Sequence, residues 1–222
     1  MTISTGLTWI KMRKCSPNLR GMTLSGGRAL SGVEQVVAGA AGFWEVTYSE
    51  IAVYDQDTAR KYRALLARLR SGELIELPIH DPYMTPATVT ATVAADAANR
   101  ATTIQLAVLG VEPTAGMFFS ISTRLYQITE VTVSPADGVA FVPWNDGQIW
   151  EDDGVWNDDG LHTSQTFTVK FQPPLRAAAT SGATVDFSNL RVLSRVKSGA
   201  DGDVDFELGR FGTPSLVFVE TP

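Results

Sequence analysis

Three tryptophans spaced six residues apart, each followed by carboxylates and a glycine, form the densest group of chemistry-bearing side chains in the sequence. Trp144, Asn145, Asp146 and Gly147 are echoed by Trp150, Glu151, Asp152, Asp153 and Gly154, and again by Trp156, Asn157, Asp158, Asp159 and Gly160. Three chemistries suit such a repeat. The indoles could stack on a sugar ring or anchor a partner protein, as tryptophan does at the energetic centres of interfaces. The carboxylates could coordinate calcium, although their order differs from that of an EF-hand loop. The third reading is a solvated acidic loop whose tryptophans pack on their own domain. The Asn, Asp and Gly residues tolerate left-handed backbone and mark turns, so a protruding hairpin or folded loop is expected. The partner or glycan contacts would be Trp144, Trp150, Trp156, Asp152, Asp153, Asp158 and Asp159.

Enzyme chemistry finds little footing. A glycosidase holds two carboxyl groups rigidly across a cleft and raises the pKa of one by burial, whereas turn aspartates stay solvated and ionised. No serine stands in the Gly-x-Ser-x-Gly context of a nucleophile elbow. Gly26, Gly27 and Arg28 lack the spacing and the following Lys of a phosphate-binding loop. Cys15 lies beside Lys14 and near Arg13 and Lys11, cations that could lower a thiol pKa, but a lone cysteine is more often structural. His80 and His162 are the only histidines; with one cysteine they offer little to zinc or copper. The expectation is a non-enzyme with no catalytic residues and no cofactor, calcium being the one ion the carboxylates suit.

Bulk properties narrow the class. With 222 residues, 44% hydrophobic and 19% charged, the chain can bury a core without disulfides. Its net charge of −6 matches the six carboxylates between Trp144 and Gly160, a stretch without Lys or Arg; the rest is near neutral, which disfavours nucleic acid as a partner. No run approaches the roughly 20 apolar residues of a membrane span. The start Met1, Thr2, Ile3, Ser4 lacks a basic head and apolar run, so no secretory signal is expected and a cytoplasmic site of synthesis is the default.

The elements that must position these residues are mostly strands. One amphipathic helix is expected at about 57–71: Tyr62, Leu65, Leu66 and Leu69 share a stripe, Asp57 caps the start, Arg68 and Arg70 suit the end, and Gly72 closes it. Before it, Phe43 to Ile51 alternates as a strand, with Trp44, Val46, Tyr48 and Glu50 on one side and Ile51 on the other. Ser16 to Gly32, rich in glycine and with Pro17, is expected to be an irregular arm. Leu74 to Ile79 reads as a return strand ended by prolines. Further strands are expected at Thr88 to Val93, Thr103 to Val108, Met117 to Ile121, Leu125 to Val133, Thr166 to Phe171, Thr184 to Phe187, Val204 to Leu208 and Ser215 to Glu220. The last forty residues are too few for their own core, so they should complete the sheet begun earlier. The expected fold is mainly β: a discontinuous β domain from 1–85 and 177–222 with one flanking helix, and an inserted small antiparallel barrel or sandwich from 86–176 carrying the acidic loop 144–160.

In the order of its features the chain resembles the distal tail or minor tail proteins of long-tailed phages and gene transfer particles. The resemblance runs through Leu24, Ser25, Gly26, Gly27 to Gly32, Val33, Glu34, Gln35; through Phe43, Trp44, Glu45, Val46; and through Arg63, Ala64, Leu65, Leu66, Ala67, Arg68, Leu69, Arg70, Ser71, Gly72. It continues in Ala115, Gly116, Met117, Phe118, Phe119, Ser120, Ile121, in Leu125, Tyr126, Gln127, Ile128, Thr129, and in Pro173, Pro174, Leu175, Arg176. These are textures spread over most of the chain. The resemblance implies that 1–85 and 177–222 form a ring-forming β sandwich flanked by the helix, in a virion structural protein that forms a ring, commonly a hexamer, joining the tail tube to the hub and baseplate at the tail tip and helping to organise the adsorption apparatus, assembled in the host cytoplasm. Its partners would be further copies of itself, the tail tube protein, the hub and other tail-tip proteins. The acidic tryptophan repeat lies outside the family pattern, which leaves a carbohydrate- or receptor-binding module, with a host surface glycan as ligand, as the competing expectation.

Overall fold

A computed structural model describes residues 2–3, 10–21, 23–28, 32, 34–38, 42–81, 89–133, 164–197 and 212–221. The acidic repeat, His162, the proline-flanked boundary at Pro86 and the expected strand Val204 to Leu208 lie outside these residues. Along the chain come β1 (Thr2–Ile3), β2 (Met12–Arg20), β3 (Thr23–Arg28), β4 (Glu34–Ala38), β5 (Phe43–Ile51), the helix α1 (Gln56–Arg70) and β6 (Leu74–Pro78). There follow β7 (Thr90–Val93), β8 (Thr103–Leu109), β9 (Phe118–Ile121), β10 (Arg124–Val133), β11 (Gln165–Gln172), β12 (Thr184–Asp186), β13 (Arg191–Val196) and β14 (Leu216–Glu220). The protein is mainly β.

One body is a six-stranded sheet in the order β1-β6-β13-β14-β5-β2, antiparallel except where β1 runs parallel to β6. β14 lies beside β5, with Phe218 opposite Val46, so Trp44, Leu65 and Phe218 share one core although they are distant in sequence. α1 closes that core with Tyr62, Leu65, Leu66 and Leu69, the stripe that the spacing predicts. Its start differs from expectation by two residues. Asp55 is the cap, its Oδ1 accepting from the Thr58 amide at 2.6 Å, and this bond holds the Asp55 carboxyl below its usual range. Asp57 instead sits in the first turn and pairs with Lys61 at 2.5 Å. An aspartate two residues earlier wins because it can take extended backbone and still reach the third amide. At the other end Gly72 takes φ +90°, where a Cβ would be strained, and the Glu73 amide returns to the Arg68 carbonyl at 3.3 Å.

Strand β5 buries Trp44, Val46 and Tyr48 and leaves the intervening residues half-exposed. The alternation breaks at Glu50. That residue adopts φ +55°, which turns Ile51 into the core and leaves Glu50 to pair outside with Arg13 and Lys14. Most described residues of the glycine-rich segment expected to be irregular lie in strands. β2 pairs with β5 from Met12 opposite Ile51 to Arg20 opposite Phe43, and β3 pairs with β4 as a separate two-stranded sheet, from Thr23 opposite Ala38 to Arg28 opposite Glu34. Pro17 is accommodated because β2 is an edge strand, where an absent N–H need not break a ladder. A register shift between Ser25 and Arg28, with Gly27 at φ +83°, inserts an extra residue as a bulge. Glycines read as loop formers therefore shape a hairpin arm.

The second body is a closed antiparallel barrel, β10-β11-β8-β7-β12-β9. Phe119 stands at its centre in contact with Tyr126, Phe171 and Phe187, at ring-centroid distances of 5.3, 5.6 and 6.0 Å. Thr184–Asp186 was expected to complete the sheet with the C-terminal segment; it pairs instead with β7 and β9. Without β12 those two strands would each present an open edge, and closure removes both. The barrel thus extends past residue 176, and the chain re-enters the sheet at β13.

Replacing Phe119 with alanine should cost about 4 kcal/mol of unfolding free energy, the usual toll for a fully buried aromatic. Urea denaturation followed by near-ultraviolet circular dichroism measures it; a loss under 1 kcal/mol would mean the barrel core is not packed around this ring.

Candidate functional site

The two bodies meet along β5, β14 and β10, and polar side chains do much of the joining. Leu216, Phe218 and Glu220 alternate into the interior from β14, which delivers a carboxylate with only 2% of its side chain exposed. Both its oxygens are used. Oε2 accepts from the Trp44 amide at 3.0 Å, and Oε1 accepts from Arg124 Nη1 at 3.1 Å. Arg124, at the start of β10, also donates to the Thr221 carbonyl. Burying a carboxylate is expensive unless it is paired and hydrogen-bonded, and here it is both.

Trp44 completes the tie. Its Nε1 donates to the Leu125 carbonyl at 2.7 Å, and its ring meets Phe118 edge-on with centroids 5.6 Å apart. Leu125 belongs to the sheet's core although it lies on a barrel strand. Further bonds cross the same seam: the Leu193 amide donates to the Thr123 carbonyl at 2.9 Å, and Arg176 donates to the Gly42 carbonyl. A seam fastened from three sides in this way holds the bodies in one relative orientation.

Beside the seam, at one end of the barrel, opens a cleft of about 730 Å³. Three loops build it: 97–101, the β9–β10 turn, and 173–179. The first and third are laced together by backbone bonds. Ala97 and Ala179 exchange a pair at 2.8 and 2.9 Å, the Arg100 amide donates to the Leu175 carbonyl at 2.8 Å, and the Leu175 amide donates to the Ala101 carbonyl at 2.9 Å. Arg100, Arg124 and Arg176 line the cleft with Asn99, Ser122 and Tyr126. Burial pushes the Tyr126 hydroxyl pKa up, so it stays a neutral donor and acceptor near neutral pH.

No protein-family model matches the sequence, and no curated protein resembles it at a significant level. The residues must speak for themselves.

Of the residues singled out by sequence, Trp144, Trp150, Trp156, Asp152, Asp153, Asp158, Asp159 and His162 lie outside the described ones. Cys15 is half-buried on β2, and burial raises its thiol pKa; the His80 backbone amide offsets this only in part. The nearby lysines and arginine do not produce the activated thiol that their spacing allows, because Arg13 and Lys14 turn outward to Glu50. His80 is exposed beyond the end of β6. No group of three or more His, Cys, Asp or Glu residues is placed to hold a metal among the described residues, and no helix among them is long and apolar enough to cross a membrane.

Sequence reasoning missed Glu220, Arg124 and the arginine-lined cleft. A signal for Glu220 exists: it falls in phase with the apolar Leu216 and Phe218, and a charge on the inward register of a strand requires a buried partner. Nothing comparable marks Arg100 or Arg176, which only the barrel's closure brings together.

Glu220→Gln should lower stability by about 3 kcal/mol, because it leaves the Arg124 charge without its counterion; the low end of the range applies since Arg124 retains some solvent. Pairing that change with Arg124→Met should recover part of the loss. Equilibrium unfolding of both variants provides the check, and an equal or larger loss in the double variant would contradict this account of the seam.

Proposed function

We propose that this chain is a structural subunit of a phage tail tip, in the manner of a distal tail protein, and that it assembles into a ring, most simply a hexamer, between the tail tube and the hub or baseplate. The observation that supports this reading is the hairpin arm. β3 follows β2 and β4 precedes β5 in the chain, and these two strands pair with each other and with no third strand among the described residues. A two-stranded hairpin is marginal alone and gains stability when laid against another surface. At the usual strand rise the six residues of β3 span roughly 20 Å. A ring needs this kind of asymmetry, with one feature reaching out and a different face receiving it, repeated until the rotation closes.

The fastened seam supports the same reading. A subunit that transmits load or position along a tail must keep its parts in fixed register, and the Glu220 and Trp44 contacts do so without covalent links. The competing reading is a carbohydrate- or receptor-binding module that uses Trp144, Trp150 and Trp156, favoured by their six-residue repeat. The two differ in what they need: assembly uses the arm, glycan binding the repeat.

Native mass measurement at micromolar concentration, alone and with the tail tube and hub proteins, should detect a closed oligomer. Replacing residues 22–39 with a two-residue turn should retain the β-rich circular dichroism spectrum and abolish the oligomer. A monomer under all conditions would sink the ring. Glycan-array binding lost in Trp150→Ala, with no oligomer, would transfer support to the binding module.

A further inference from the structure

The cleft at the barrel's end is basic in a molecule whose net charge is −6. No Asp or Glu lines it. Of its three guanidiniums, Arg124 is neutralised by Glu220, whereas Arg100 and Arg176 have no carboxylate partner among the described residues. Arg176 donates one arm to the Gly42 carbonyl, a neutral acceptor, so its charge has no counterion among them.

The cleft is also held in shape. Arg100 at φ +65° and Ser122 at +55° take the left-handed backbone that tight turns require, Ser122 in the two-residue β9–β10 hairpin turn and Arg100 in the turn whose Ala101 amide donates to the Ala98 carbonyl at 3.1 Å. The backbone bonds lacing 97–101 to 173–179 keep these turns in place, so little ordering remains to be done on binding.

We propose that this cleft docks an acidic peptide segment of a partner protein, with a carboxylate set against Arg100 and Arg176. Planar guanidiniums suit carboxylates because they offer paired N–H donors. Alongside the polar Asn99, Ser122 and Tyr126, the lining has an apolar part, Ile121, Pro174, Leu175 and the alanines after Arg176, which would cover an aliphatic neighbour of that carboxylate. A peptide combines both characters, and the open mouth admits a chain that continues past the site. Nucleic acid fits poorly, since the molecule's overall charge repels a phosphate backbone. The proposal does not depend on ring assembly.

The probe is the synthetic peptide acetyl-Leu-Glu-Asp-Leu-amide, titrated into the full chain while the arginine Nε–H signals and the backbone amides of the three loops are followed by NMR. The expected result is saturable shifts confined to the cleft, weakened by added salt and at least about tenfold weaker in Arg100→Asn, a loss of about 1.4 kcal/mol. Asparagine tolerates the left-handed backbone, so this variant keeps the fold, which its amide spectrum verifies. Arg100→Lys, which keeps the charge but not the paired donors, should bind more weakly than the unaltered chain and more tightly than Arg100→Asn. Three results would each overturn the proposal: no shift in the cleft, equal binding by the amide counterpart acetyl-Leu-Gln-Asn-Leu-amide, or unchanged binding in Arg100→Asn. Equal affinity for free succinate would replace the peptide with a small dicarboxylate and overturn it also.

Discussion

The arrangement of this molecule depends on a single buried carboxylate. Glu220 sits on the last strand of the sheet, accepts from the amide of the strand beside it and pairs with an arginine of the barrel. Water is excluded, so the cost of desolvation falls on the folded state and is offset only when every partner is present. An apolar side chain there would add stability without direction. The ion pair and the hydrogen bonds from Trp44 demand particular atoms at particular places, which sets how the barrel sits on the sheet.

Each body solves its edge problem differently. The barrel has no edges, because β12 returns after a long excursion to seal the gap between β7 and β9. The sheet keeps its edges: β2 runs along one side and leads into the arm, and β1 caps the other with a short parallel pairing. Its outer face is laced by charges, with Glu45 between Lys197 at 2.7 Å and Arg20 at 3.6 Å. The Lys197 ammonium, more than any other group, holds the Glu45 carboxyl below its ordinary pKa. Surface pairs of this kind add little stability but favour polar contacts over indiscriminate sticking.

Where local pattern and packing agreed, the sequence was readable. The helix stripe Tyr62, Leu65, Leu66, Leu69 and the alternation of Trp44, Val46 and Tyr48 are fixed by period, so they were legible with the mainly β class and most barrel strands. Element ends and partners were less so. Asp57 and Asp55 are equally good caps on paper, and only the turn geometry chooses. The glycines from Gly21 to Gly32 have the composition of a loop and the conformation of a bulged hairpin, since glycine serves both. β13 was not seen at all: its inward positions carry Val192 and Ser194 while Leu193 lies between, which scrambles the apolar alternation. The membership of Thr184–Asp186 is a question of which edges remain open, and no window of sequence contains that. The cleft was invisible for the same reason, as its arginines come from three loops joined only by tertiary structure.

The nesting of one body inside the other orders events on the ribosome. β5 and β6 emerge early, yet the strands that separate them in the sheet, β13 and β14, are synthesised after the entire barrel. Until then Trp44 and the apolar side of α1 lack their cover, and the growing chain carries an unfinished core that a chaperone would recognise. The barrel's own strands are contiguous in the chain and can close first, drawing the distant halves of the sheet toward each other before the final strand arrives. Of the strands in this sheet, β14 is therefore the one that turns a half-built layer into a finished one.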